Sequence, residues 1–138
     1  TLAADYKNLP GPAVMLGLVY RQMNRNADEE RVLKQAAKDF PKFAPAQHQL
    51  GIWLRRHAQF AAADEAYVKA IALDPNYAAA HHNRGVVNDL FLQKPQVALE
   101  EYERYQALLP QPDAQVGRWI ADLKRRTGAP AAAKETTP

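Results

Sequence analysis

Apolar side chains recur along this chain at helical spacing, in short segments separated by polar or proline-containing breaks. The pattern predicts helices over about 12–24, 27–39, 45–57, 60–73, 78–91 and 95–108. Farther on, Val116, Trp119, Ile120 and Leu123 share one helical face, while Arg118, Asp122, Lys124 and Arg125 occupy the other. A seventh helix is therefore expected from Asp113, a good N-cap residue, to Arg126. Alanine supplies much of the apolar content and Val and Ile are sparse, which favours close-packed helices over a sheet. The expected class is all-α.

The helices are organised by a repeat. Gly17, Gly51 and Gly85 are 34 residues apart, and each stands near the middle of an odd-numbered helix. Pro41, Pro75 and Pro110 close the even-numbered helices at nearly the same interval, with Phe43 and Tyr77 two residues after the first two. A proline cannot continue a helix, so each marks a clean end. Six markers on one period imply helix pairs stacked in series.

Residues 44–77 carry the fullest unit. Leu50-Gly51 and Leu54 form a large-small-large pattern, Ala63, Tyr67 and Ala70 a small-large-small one, and Asp74-Pro75-Asn76-Tyr77 closes the segment. Small residues let two antiparallel helices approach, and the large ones fill the space beside them. This segment resembles a tetratricopeptide repeat (TPR). The resemblance implies a right-handed superhelical solenoid of antiparallel helix pairs, with repeats at 10–43, 44–77 and 78–112 and a capping helix at 113–126. It departs from the family pattern at Glu29 and Tyr105, where small residues are expected, and by one extra residue near Leu92–Lys94. Residues 1–9 resemble the end of a preceding helix or an N-terminal extension, and 127–138 a flexible Ala/Pro/Thr-rich tail.

Composition narrows the chemistry. The chain has no cysteine, which removes thiol nucleophiles, disulfides and Cys-zinc sites. No apolar run reaches the ~20 residues a membrane-spanning helix needs. The net charge of +3 is too mild to argue for nucleic acid. Lys124-Arg125-Arg126 falls at a helix C-terminus, where cations complement the dipole. No Gly-rich phosphate loop, nucleophile elbow or zinc-protease motif is present, so no catalytic residue, metal site or cofactor is assigned. His81 and His82 are adjacent on one helix and point about 100° apart, which prevents joint chelation from that helix. His81 is expected between the helices. The carboxylates Asp64, Glu65, Glu100, Glu101 and Glu103 are expected on solvated faces, and Trp53 and Trp119 as core and cap anchors.

The resemblance implies a partner groove lined by the first helix of each pair. Its slots carry Val14, Leu18, Arg21 and Gln22, then His48, Ile52, Arg55 and Arg56, then His82, Val86, Asp89 and Leu90. They form an apolar strip beside a basic cluster of Arg21, Arg55 and Arg56. Such a surface suits a protein or peptide with apolar anchors and acidic flanks, because guanidinium pairs carboxylate bidentately. The clamp with which some family members grip chaperone C-termini is absent, since its slots hold Val14, Leu18 and Gln49, and Asn83 stands without the lysines. The expected function is a protein-interaction scaffold. The alternative is a self-associating element forming a homodimer through its ends or groove. The C-terminal segment also resembles TPR proteins and lipoproteins of the Gram-negative envelope, which with the missing cysteine points to the periplasm, the cytoplasm being the alternative.

Overall fold

The computed structural model describes residues 9–128, so the expectations for residues 1–8 and for the tail from 129 lie outside the described residues. Among the described residues seven helices run in order: α1 (Pro10–Gln22), α2 (Asn26–Asp39), α3 (Ala44–Arg56), α4 (Phe60–Leu73), α5 (Ala78–Leu90), α6 (Pro95–Leu108) and α7 (Ala114–Thr127). All lie within a few residues of the segments that periodicity predicts, and no strand occurs among the described residues. None is long and apolar enough to cross a membrane. The chain divides into two compact units, Thr1–Tyr77 and Ala78–Pro138.

In the first unit, α1 pairs with α2 and α3 with α4. Gly17 lies opposite Leu33, and Arg21 pairs with Glu29 nearer the turn, which is the convergence an antiparallel pair requires. The turns share one device. Asn24 and Ala58, 34 residues apart, both adopt the left-handed conformation (φ 58° and 61°). The next amide reaches back five residues in each: Arg25 to the Tyr20 carbonyl and Gln59 to that of Leu54, both at 2.9 Å. This is the usual way to satisfy the last carbonyls of a helix. Asn tolerates the left-handed region, whereas Ala58 holds it at a cost of roughly 1 kcal/mol.

The closest packing is at the glycines. A Cβ placed on Gly17 would fall 2.6 Å from Leu33 Cδ2, and one on Gly51 2.6 Å from Tyr67 Cε1. Leu33 and Tyr67 are fully buried, flanked by buried Ala36, Ala63, Ala66 and Ala70. Each such large side chain contributes about 1.5–3 kcal/mol by leaving water. Trp53, also buried, donates from Nε1 to the Asn26 carbonyl (3.3 Å) and stacks on His57 at 3.9 Å between centroids, tying α3 to the start of α2.

The second unit repeats the scheme with α5 and α6. A Cβ on Gly85 would overlap the Tyr102 ring. The extra residue falls in the intervening turn, where Gln93 is left-handed (φ 54°) and the Lys94 amide reaches the Asn88 carbonyl at 2.8 Å. The expected seventh helix is present and laid over α6. Val116 and Leu123 join Ala98, Leu99 and Tyr102 in one buried cluster, with Trp119, Ile120, Val86 and Tyr105 packed around it. Asp113 caps it, accepting from the Gln115 and Val116 amides at 3.0 and 3.1 Å, and Gly128 ends it with φ 72°. Tyr105 does not disturb the packing as a misplaced large residue would. Its hydroxyl reaches past the pair and donates to Asp113 Oδ2 at 3.1 Å.

Gly51→Ala should lower stability by about 1–3 kcal/mol, because the added Cβ would overlap the fully buried Tyr67 ring. Urea denaturation followed by far-UV circular dichroism measures it, and an unchanged midpoint would show the helix pair yielding instead.

Candidate partner-binding surface

The arginines of the expected basic cluster meet different fates. Glu29 occupies the slot that Ala63 and Ala98 fill in the other pairs, and like them it is completely buried. Its carboxylate receives Arg21 Nε at 2.6 Å and Arg56 Nη1 at 3.2 Å. Arg21 also donates from Nη1 to Gln49 Oε1 at 2.9 Å. A buried carboxylate is tolerable only when charges and hydrogen bonds compensate it, and here guanidiniums from α1 and α3 do so. Arg21 and Arg56 of the expected basic cluster are thus both engaged with Glu29, Arg56 remaining exposed. Arg55, half-buried on α3, joins none of the ion pairs among the described residues.

His48 also belongs to the interior. It is buried with its ring 4.7 Å from that of Tyr77, whose hydroxyl lies 3.0 Å from Nδ1. Burial, then the charges of Arg21 and Arg55, push the imidazole down to about 4, so the ring is neutral at pH 7. Burial raises the Tyr77 phenol, with the Asp74 charge adding to it. The shared proton accordingly stays on the phenol: Tyr77 donates and Nδ1 accepts. Tyr67 lies beside this pair, 5.9 Å from His48 between rings, and burial pushes its phenol up to about 12. Its buried hydroxyl has no hydrogen-bond partner among the described residues.

On α1, Val14 is buried in a cluster with Ala13, Ala36 and Ala46, so it offers no groove surface. Leu18 is half-buried and Gln22 exposed, and with Arg21, Met15 and Val19 they line a shallow depression of about 340 Å³. Met15, Val19 and Met23 recur every four residues and are each roughly half exposed or more (56%, 46% and 54%). Slot-by-slot transfer from the family missed this stripe, although the spacing itself is in the sequence. Ile52 on α3 is half-buried.

In the second unit most of the expected groove residues are engaged with α6 and α7. The His82 ring lies 4.9 Å from Tyr105 and 5.9 Å from Trp119. Val86 packs on the α6–α7 cluster. Asp89 accepts from Arg126 Nη2 at 2.9 Å and from the Tyr102 hydroxyl at 3.4 Å. Leu90 remains well exposed. Glu101, expected on a solvated face, is instead buried, with His81 Nδ1 at 3.1 Å and Arg84 Nη1 at 3.8 Å. Its neighbour Glu100 is exposed as helical rotation requires. No group of three or more His, Cys, Asp or Glu side chains converges to hold a metal among the described residues.

A family model described as a TPR repeat matches residues 59–88, which span the α4 helix and most of α5. Solved structures extend the likeness over the chain. A crystal structure of MamA superposes with a TM-score of 0.79 at 27% identity, covering 92% of this chain and 72% of that one. This is a tetratricopeptide-repeat fold. The first TPR of Spaghetti (RPAP3), bound to the HSP90 peptide SRMEEVD, has a TM-score of 0.78 at 19% identity, covering 89% and 96% of the two chains. The first TPR domain of human RPAP3 matches at 0.75, also 19% identical, covering 89% of this chain and 95% of that one. No curated protein sequence matches. Within the TPR frame, Glu29 and Glu101 are charges placed inside a packing scheme built from small and apolar residues.

Two outcomes follow for these TPR interiors. Arg21→Leu should cost about 2–4 kcal/mol by leaving Glu29 under-compensated, and adding Glu29→Ala should recover most of it; a double-mutant cycle of urea midpoints measures the coupling, and additive losses would refute it. His48 binds its proton more weakly folded (about 4) than unfolded (6.5), so the unfolded chain takes up more protons between these values. Its contribution, about 3 kcal/mol, is complete above pH 6.5 and lost as pH falls towards 4. His48→Gln should flatten the fall in denaturation midpoint between pH 7 and 4 relative to the parent.

Proposed function

We propose that the chain is a protein-interaction module that holds a peptide or partner protein against α1 and α3, with apolar contacts from Met15, Leu18, Val19 and Ile52. Arg55 favours acidic residues beside the partner's apolar anchors. The observation that carries the reading is the exposed Met15–Val19–Met23 stripe, which adjoins a depression edged by Arg21 and Gln22. Contiguous exposed apolar side chains rimmed by polar ones are the usual mark of an interaction surface. Methionine suits such a surface because its unbranched thioether adapts to varied partners. The same fold in RPAP3 is seen with SRMEEVD, a peptide mixing apolar and acidic residues. A setting in the bacterial envelope is part of the proposal, supported by the resemblance of the C-terminal segment, and cell fractionation tests it.

Self-association is the second reading, because the α1 stripe would equally suit another copy. Light scattering separates the two, since a monomer at every concentration removes the second. For the first, Met15→Asp/Val19→Asp and, separately, Arg55→Glu should leave helical content unchanged and reduce partner capture from native extract at least about tenfold. Arg56 is a poor choice for this test, since replacing it strips Glu29 of a partner. Unchanged capture by both variants would exclude the α1–α3 face.

A further inference from the structure

Tyr67 and Tyr102 stand at corresponding positions of successive helix pairs, each packed over the glycine of its partner helix, yet their hydroxyls end differently. Tyr102 donates to Asp89 Oδ2 at 3.4 Å, and Asp89 Oδ1 receives Arg126 Nη2 at 2.9 Å. A carboxylate thus lies between a phenol and a guanidinium. The slot of Asp89, taken back 34 residues, is Arg55. Arginine has only donors, so it cannot accept from a tyrosine. Tyr67 is fully buried and its hydroxyl finds no partner among the described residues. An orphaned buried hydroxyl is costly to keep. The second pair therefore holds both donors of the Asp89 arrangement, a phenol and a guanidinium, without the carboxylate.

The surrounding charge points the same way. Arg21 and Arg55 both act on Tyr67, and both disfavour a proton on His48, so two positive charges bear on one spot. Arg21 is spent on Glu29 and Gln49. Arg55 is half-buried and pairs with no carboxylate among the described residues.

We propose that an aspartate or glutamate side chain of the bound partner completes this set, its carboxylate accepting from the Tyr67 hydroxyl and pairing with Arg55. The proposal rests on the partner-binding reading of the α1–α3 face and gives that face its specificity. The acid enters beside Arg55 and pairs with it, as Asp89 pairs with Arg126. A carboxylate is the matching ligand because Asp89 is already held by the same two kinds of group, the Tyr102 phenol and the Arg126 guanidinium of α7. Binding would give the Tyr67 hydroxyl the acceptor that it lacks among the described residues.

The probe is an array of capped decapeptides in which Leu and Met anchors flank one Asp or Glu, paired with the same peptides carrying Asn or Gln. The parent protein should prefer the acidic members by about tenfold, the scale of one charge-assisted contact. Arg55→Gln and Tyr67→Phe should each reduce that preference to under about twofold while leaving the apolar contribution intact. Equal binding of acid and amide peptides by the parent, or a preference that survives both substitutions, overturns the proposal but leaves the interaction module standing. Failure of every peptide to bind removes the module reading and this one with it. Thermal melts supply an independent arm. Tyr67→Phe should raise Tm by a few degrees and Tyr102→Phe should lower it; a fall in Tm for Tyr67→Phe would mean its hydroxyl already has a partner.

Discussion

Everything in this molecule depends on how near two helices can come when one offers a bare backbone. At Gly17, Gly51 and Gly85 the first helix of a pair presents no side chain, and Leu33, Tyr67 or Tyr102 from the second lies in the space a Cβ would occupy. That contact sets the separation of each pair, and the separation decides which neighbours fall inside. Alanines at 36, 63, 66, 70 and 98 are buried because the helices are close, and nothing larger and apolar would fit without pushing them apart.

Close approach also governs the polar residues. Once the backbones are drawn together, a long side chain starting on one helix is near the neighbouring helix within a few bonds. Arg21 bridges α1, α2 and α3 in this way, and Arg126 ties α7 to α5. Side chains that would wave in solvent on an isolated helix are recruited as ties. Among the described residues these ties leave the outer stripe of α1 exposed and Arg55 on α3 outside the ion pairs.

Helix placement was legible from the sequence because glycine and proline spacing, apolar periodicity and a capping aspartate all report local geometry. The capping helix was legible for the same reason, since Val116, Trp119, Ile120 and Leu123 share a face whatever they pack on. The candidate surface was much less so. Val14 and His48 looked like groove residues by slot, but both are buried, and only the positions of neighbouring helices determine that. Glu29 reads as a departure from the family pattern and Glu101 as a solvated acid, because the guanidiniums and imidazole that compensate them come from elsewhere in the chain. Pairing between distant side chains leaves no periodic trace. The Met15–Val19–Met23 stripe does leave one, at a four-residue spacing that falls beside the family's groove slots.

Glu29 has a further consequence for how the first unit comes apart. Stacked repeats behave as a line of units, each stable by itself to some degree and coupled to the next through an interface. Apolar contacts between neighbours loosen gradually as one slides over another. A buried carboxylate shared by Arg21 on the first helix and Arg56 on the third does not, because withdrawing either guanidinium strands a charge. The clasp makes fraying of the first pair an abrupt event that the second pair feels. Hydrogen exchange across α1 to α4 would then occur in one cooperative step rather than as a gradient from helix to helix.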